Sequence, residues 1–195
     1  MPGPAKRGRA FYEAISLATF YETINFAMAE GQEKAEIWEV QTKGPEQTLC
    51  LGRTFGEMLS PGQVVALTGD LGAGKTVLAK GIARGLGVED EREVTSPSFV
   101  MINEYKGRLP IFHVDLYRLA EASQVEGLGW EEIIFGPGVT LIEWPEKVWD
   151  LLPEERLEVY LCWLGPEERS FIFQAKGQTG KDLICRLREK WKKGD

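Results

Sequence analysis

Apolar residues along this chain form two kinds of pattern, short runs and helically spaced stripes. The short runs, several of them rich in β-branched residues, predict strands over residues 64–68, 99–102, 109–114 and 139–142. The stripes predict helices over residues 47–59 and 77–86. Strands that alternate with helices in this way are typical of a three-layer α/β fold with a mostly parallel sheet.

Two stretches of the chain break this alternation and predict some antiparallel strands. Residues 105–108 form a turn between the second and third predicted strands. Residues 157–163 and 170–175 are interpreted as a hairpin about Gly165 and Pro166. A last amphipathic helix with a basic end follows, carrying the apolar residues Leu183, Ile184, Leu187 and Trp191.

Residues 1–35 differ from the rest and are interpreted as an N-terminal extension to one domain of residues 36–195. After three basic residues, apolar side chains recur as in an amphipathic helix, at Leu17, Phe20, Tyr21, Ile24 and Met28. Glu13 and Glu22 interrupt what would be the apolar core of a signal peptide, and they argue against a transit peptide. Since Met28 is a plausible alternative start, a mis-assigned start is the other interpretation.

Composition narrows the classes of function. A chain of 195 residues that is 43% hydrophobic is large enough for one full core. A net charge of −7 weighs against direct, sequence-independent binding of nucleic acid, which needs a basic surface. The 3 cysteines are far apart and form no C-x-x-C pair, so neither a zinc site nor a disulfide framework is indicated and a reducing cytoplasm is expected. No apolar stretch approaches the roughly 20 residues of a membrane span.

One motif fits G-x-x-x-x-G-K-[ST], the phosphate-binding loop, and stands between a predicted strand and a predicted helix. Its glycines let backbone N–H groups approach a polyphosphate closely, and the positive end of the helix points at the anion. The lysine can reach the β and γ phosphates, and the threonine offers a hydroxyl to Mg²⁺. The candidate nucleotide-binding residues are Gly69, Asp70, Leu71, Gly72, Ala73, Gly74, Lys75 and Thr76.

Two acids end predicted strands, where a phosphate loop commonly finds a partner for its metal ion. Asp115 follows residues 109–114, and Glu143 follows residues 139–142. If these strands run parallel to the strand before the phosphate loop, both side chains emerge at the ligand-binding edge of the sheet. One acid would then hold Mg²⁺ while the other orients or deprotonates the attacking water.

The neighbours of these acids have both structural and functional interpretations. His113, on an apolar strand, is expected to be a core residue bonded to a backbone carbonyl, with support of Asp115 as the functional variant. Arg118 would pair with an acid or face phosphates, and Trp144 would be plain core or line the nucleotide pocket. The hydroxyl residues around Pro97 form either a polar turn or a switch-like segment near the γ-phosphate, and they are Thr95, Ser96 and Ser98.

Four motifs in this order and spacing closely resemble the TsaE family, formerly YjeE. They are G-D-L-G-A-G-K-T (69–76), T-S-P-S-F (95–99), H-V-D-L-Y-R-L (113–119) and E-W-P-E (143–146). The resemblance covers about residues 40–190 and says nothing about the extension. It implies a P-loop NTPase fold that binds ATP and Mg²⁺, with metal contacts from Thr76 and Glu143 and an essential acid at Asp115.

The resemblance also implies a place in threonylcarbamoyladenosine modification of tRNA. Similar proteins bind a complex of TsaD and TsaB, which transfers the threonylcarbamoyl group, and the ATPase resets that complex between turnovers. The expected partners are therefore TsaD and TsaB, with tRNA met only indirectly and no membrane involved. Hydrolysis by the isolated chain is expected to be slow.

Two other P-loop functions lack the sequence features that they usually need. A small-molecule kinase usually needs an arginine-bearing lid, and no arginine-rich insert stands between the predicted strands. A GTPase usually selects guanine with [NT]-K-x-D, which Lys181 and Asp182 do not fit. Arg169, in the late hairpin, is a further candidate for nucleotide binding, and the alternative is a solvated arginine.

Overall fold

The computed structural model describes residues 36–90 and 92–193. The interpretations of residues 1–35 as an amphipathic extension or a mis-assigned start lie outside these residues. No helix in the two described ranges is long and apolar enough to cross a membrane.

Seven strands in the described part form a single sheet. They are β1 (Ile37–Lys43), β2 (Val64–Gly69), β3 (Ile102–Lys106), β4 (Pro110–Asp115), β5 (Val139–Glu143), β6 (Arg156–Trp163) and β7 (Glu168–Lys176). The α-helices are α1 (Gly44–Gly56), α2 (Lys75–Gly85), α3 (Trp130–Phe135) and α4 (Thr179–Lys193). Short 3₁₀ turns occupy Ala122–Leu128, Pro145–Lys147 and Trp149–Leu151.

The strand order is β1-β7-β6-β2-β5-β4-β3. The four central strands β6, β2, β5 and β4 are parallel, whereas β3, β7 and β1 pair antiparallel with their neighbours. The predicted three-layer α/β fold with a mostly parallel sheet and some antiparallel strands is therefore confirmed, as is the late hairpin.

Two hydrophobic clusters cover the two faces of the sheet. Helices α1, α2 and α4 pack on one face over residues such as Leu67, Leu141 and Val159. Helix α3 and the 3₁₀ turns pack on the other face over residues such as Ala66 and Ile142. Since side chains alternate along a strand, β4 and β5 each send every second residue toward the layer that contains α2.

Helices α1 and α2 approach each other at backbone distance. A Cβ atom added at Gly52 would lie 2.6 Å from the Leu78 carbonyl oxygen, and one added at Gly81 would lie 2.5 Å from the Leu49 carbonyl oxygen. Real Cβ atoms do not tolerate such distances, so glycine permits this contact. This contact holds α2, whose first turn carries the phosphate-loop residues Lys75 and Thr76, against α1.

The prediction of a strand over residues 99–102 is wrong. The Pro97 carbonyl oxygen accepts the N–H groups of Val100 and Met101, at 3.0 and 2.7 Å, and closes a turn. Met101 takes a positive φ of 67°, and Phe99 is 84% exposed, so this apolar run is not buried as a strand would be. The turn predicted at residues 105–108 begins two residues later in the structure than predicted, because β3 continues through Lys106.

Candidate phosphate site

The phosphate loop connects the end of β2 to the start of α2. Gly72 and Gly74 have φ values of 80° and 109°, which side chains rarely adopt, and a Cβ atom at either position would meet nothing within 4 Å. Glycine is therefore required at both positions by the backbone conformation and not by the closeness of neighbouring atoms. No side chain of the described residues caps the N-terminus of α2, so the first N–H groups of this helix are left for an anion.

Lys75 is buried beneath the loop, with only 5% of its surface exposed. Its ammonium donates to the carbonyl oxygens of Gly69 (2.6 Å) and Asp70 (3.0 Å), and it lies 3.9 Å from the centre of the Trp144 ring. Burial lowers the pKa of Lys75, and the nearby carboxylates, Glu143 first, oppose that shift. The charge that would meet a polyphosphate is thus held by neutral partners, which an anionic phosphate can replace.

Glu143, at the end of β5, contacts the first turn of α2. The Thr76 hydroxyl donates to its two carboxylate oxygens, at 3.0 Å to Oε1 and 3.3 Å to Oε2. Nε2 of His113 lies 2.9 Å from Oε1. A hydroxyl and a carboxylate side by side are hard oxygen ligands of the kind that Mg²⁺ prefers.

Asp115, at the end of β4, lies in register beside Glu143. Its Oδ2 accepts hydrogen bonds from the hydroxyls of Ser96 and Ser98, the latter at 2.9 Å. Its Oδ1 accepts the backbone N–H of Tyr117 at 2.9 Å. The expectation that both acids emerge at the carboxyl edge of parallel strands is confirmed. The segment around Pro97 is joined to this edge through the two serines.

Trp144 closes the site from the side of β5. It adopts a left-handed conformation with φ 62° and ψ 47°, which is rare for a bulky residue. This conformation places its ring against Lys75 and 5.1 Å from the ring of Tyr117. One cleft is lined by the phosphate loop together with Ser96, Ser98, Asp115, Glu143 and Trp144.

The donor set of this cleft fits a magnesium ion that shares its coordination with phosphate. Among residues 36–90 and 92–193, no cluster of three or more His, Cys, Asp or Glu side chains is arranged to hold a metal ion. Mg²⁺ usually takes only one or two protein ligands and completes its shell with water and phosphate oxygens. Thr76 and Glu143 would supply those ligands.

Comparison with known proteins places the chain in a family. The sequence model described as "Threonylcarbamoyl adenosine biosynthesis protein TsaE" matches residues 42–171. The tRNA threonylcarbamoyladenosine biosynthesis protein TsaE of Bacillus subtilis is 43% identical over 146 residues, which are 74% of this chain and 89% of that protein. The chain belongs to the TsaE family.

Two further relatives agree with this membership. The TsaE protein of Nostoc sp. is 47% identical over 145 residues, 72% of this chain and 87% of that protein. A crystal structure of Bacillus subtilis YdiB superposes with a TM-score of 0.68 at 34% identity, covering 82% of this chain and 99% of that one. The chain therefore belongs to a family of tRNA threonylcarbamoyladenosine biosynthesis.

Arg169 lies on the other side of the phosphate loop of this TsaE-family chain. A second cleft is lined by Gly72 and Gly74 of the loop, by the start of α1 and by the hairpin residues 166, 167 and 169. Nη1 of Arg169 donates to the carbonyl oxygens of Gly165 (2.7 Å) and Glu168 (3.0 Å). The guanidinium thus borders the loop and bonds to its own turn.

Two expectations about side-chain partners are wrong. His113 bonds to the Glu143 carboxylate, neither to a backbone carbonyl nor to Asp115, because β4 and β5 are adjacent and parallel. The expected acid partner of Arg118 is also absent from the described residues, where its guanidinium lies 4.4 Å from the centre of the exposed Phe99 ring. Both contacts depend on how separate segments meet, which residue type alone does not reveal.

Sequence reasoning also gave no role to Glu146, whose charge reaches Lys75 although its side chain does not line the cleft. It follows Trp144 in the first 3₁₀ turn after β5, and its charge acts on Lys75. Burial raises the pKa of Glu146. The E-W-P-E run contains this second acid, and its spacing of three from Glu143 was the available signal.

Proposed function

We propose that this chain is a Mg²⁺-dependent ATPase of the threonylcarbamoyladenosine machinery of tRNA. The observation that carries the proposal is the contact between Thr76 and Glu143, 3.0 Å apart directly below the phosphate loop, with Asp115 beside them. A phosphate loop, a hydroxyl, a strand-end acid and a second acid are the parts that phosphoryl transfer to water needs.

Each part has a distinct role in the proposal. Lys75 and the loop N–H groups neutralise the β and γ phosphates, while Thr76 and Glu143 hold Mg²⁺, which supplies further neutralisation when bound. Asp115 orients or deprotonates the attacking water. The two hydroxyls on its Oδ2 and the Tyr117 N–H on its Oδ1 fix the direction in which its carboxylate faces. Trp144 and Arg169 line the nucleotide clefts on either side.

The site is poorly supplied with positive charge for the transition state. The described residues that line the cleft around Lys75 include no arginine. Added arginines in related reactions raise rates by roughly 10³–10⁵. We therefore propose that the isolated chain hydrolyses ATP slowly and that a complex of TsaD and TsaB in the cytoplasm stimulates it, so that hydrolysis resets that complex. Contact with tRNA would be indirect.

The decisive experiment measures ATP hydrolysis by the full chain with and without purified TsaD and TsaB. The expected result is a slow basal rate that rises on addition of both proteins and vanishes in a Lys75→Ala control. A variant without residues 1–27 is expected to keep the stimulation. Fast hydrolysis by the chain alone, unchanged by TsaD and TsaB, would contradict the proposal. Transfer of phosphate to a small molecule would instead support the kinase alternative.

A further inference from the structure

His113 is a buried polar residue whose presence the fold alone does not require. It lies in the middle of β4 on the face that packs against the layer of α2, and none of its surface is exposed. Its strand neighbour on the same face, Ile111, is an ordinary core residue. Burying an imidazole instead of an aliphatic side chain costs free energy unless its nitrogens are bonded.

One nitrogen of His113 is bonded, which offsets part of that cost. Nε2 lies 2.9 Å from Glu143 Oε1, and within the described ranges Nδ1 has no hydrogen-bond partner. An ionised carboxylate only accepts hydrogen bonds, so the imidazole donates through Nε2. The whole polar function of the side chain is therefore directed at Glu143.

Glu143 is consequently held from two sides. Its Oε1 accepts from His113 at 2.9 Å and from the Thr76 hydroxyl at 3.0 Å. The first donor comes from the neighbouring strand and the second from the helix above the sheet. With only the Thr76 contact, the carboxylate would be free to rotate about its terminal torsion, which is broad for glutamate.

We propose that His113 is a positioning residue that fixes the Glu143 carboxylate toward Thr76, so that the two proposed magnesium ligands are preformed before nucleotide arrives. It acts through Glu143 and touches neither nucleotide nor metal. This inference rests on the proposed function, because it assigns a role to the support of a proposed ligand. Loss of such a partner behind a metal ligand typically weakens metal affinity about 10- to 100-fold.

The test compares His113→Leu with His113→Gln in the full chain. Leucine fills the space without a donor, whereas the glutamine amide can place an N–H near the position of Nε2. Calorimetry gives ATP affinity at increasing MgCl₂ and also in EDTA. MgCl₂ is expected to increase the ATP affinity of the wild-type protein. For His113→Leu we expect the MgCl₂ concentration that gives half of this increase to rise about 10- to 100-fold, with ATP affinity in EDTA unchanged. His113→Gln should restore most of the wild-type value.

Thr140→Val is the matched control. Thr140 is as deeply buried on β5, and its hydroxyl donates to the Ile133 carbonyl oxygen at 2.6 Å, on the far side of the sheet from Glu143. This variant loses a buried hydrogen bond without touching the site, so its MgCl₂ dependence should match wild type. If His113→Leu does not fold, His113→Asn, which is too short to reach Glu143, takes its place against His113→Gln.

The outcomes separate the two proposals. A His113→Leu protein with the wild-type MgCl₂ dependence would overturn the positioning role and leave the proposed function intact. An equal loss of affinity in EDTA and in MgCl₂, not restored by glutamine, would show a purely structural role and also overturn it. A wild-type protein whose ATP binding is indifferent to MgCl₂ would overturn the proposed function itself, and this inference with it.

Discussion

The two flanks of the phosphate loop are built differently. On the flank of β4 and β5, Asp115 and Glu143 are each 3% exposed and bond to side chains from separate parts of the chain. On the hairpin flank of β6 and β7, Arg169 is half-buried and bonds to carbonyl oxygens of its own turn. The first flank is fixed by tertiary structure and the second by local structure.

In the proposed ATPase, this difference would separate residues that act on the reaction from residues that adjust nucleotide affinity. Groups that act on a transition state must be held in place before the reaction, which buried bonds between distant segments provide. A side chain held only by its own turn can move when a ligand arrives, at little cost to the rest of the fold. We therefore expect substitutions on the acidic flank to remove activity and substitutions on the hairpin flank to tune affinity.

The largest effect is expected where both flanks meet, at Lys75. In Lys75→Ala the loop N–H groups remain but the buried ammonium is lost. Charge-assisted hydrogen bonds contribute about 1.5–3 kcal/mol, so ATP affinity measured by calorimetry should fall roughly 10- to 100-fold or more, and hydrolysis should be abolished. Lys80→Ala, on the same helix but outside the cleft, is the control and should bind normally. Unchanged ATP affinity in Lys75→Ala would remove the phosphate-loop interpretation.

On the acidic flank, Glu143→Ala should remove turnover and weaken the dependence of ATP binding on Mg²⁺. The reason is that a metal ligand acts in the ground state as well as in the transition state. The measurement is ATP affinity with MgCl₂ and with EDTA, which should converge in this variant. A Glu143→Ala protein whose affinity still rises with MgCl₂ as in wild type would show that the metal is held elsewhere.

Asp115→Asn should spare ATP binding more than Glu143→Ala does and should cut the hydrolysis rate. Asparagine keeps an oxygen for the serine hydroxyls but loses the charge that orients or deprotonates water, a contribution of about 10²–10⁴ in rate. Single-turnover hydrolysis at saturating ATP measures this directly. If both acid variants changed binding and rate equally, the division of roles between Asp115 and Glu143 would fail, though not the site.

The contrast between the flanks also explains what the sequence could predict. Strand β2, the glycine loop and the start of α2 follow each other directly along the chain, so the local sequence pattern predicts them. The two acids were predictable because both end apolar strands. The bond between His113 and Glu143 spans 30 residues and depends on which strands are neighbours, which no local pattern contains.

The errors have similar physical causes. Phe99 and Val100 belong to an apolar run, yet the hydrogen bonds to the Pro97 carbonyl turn the chain there and leave both side chains exposed. Strand β1 was missed because it lies at the edge of the sheet, where polar residues such as Glu39 and Gln41 interrupt its apolar ones. Helix α3 has only 6 residues, too few for a helical stripe to be recognised.

The smallest effect is expected on the hairpin flank, in Arg169→Ala. The guanidinium borders the cleft beside Gly72 and Gly74 but already bonds to the carbonyls of its own turn, so contact with a nucleotide would require it to give up bonds of similar kind. Partly exposed ionic contacts contribute about 0–1 kcal/mol, so ATP affinity should fall by no more than about fivefold, with the rate at saturating ATP unchanged. The measurement is calorimetry. Arg53→Ala is the control for the loss of a surface charge, because Arg53 pairs with Glu57 four residues along the chain.

Full affinity in Arg169→Ala would make Arg169 a purely structural residue of the hairpin turn. A loss of rate at saturating ATP would place the arginine in the chemistry and end the distinction between the two flanks.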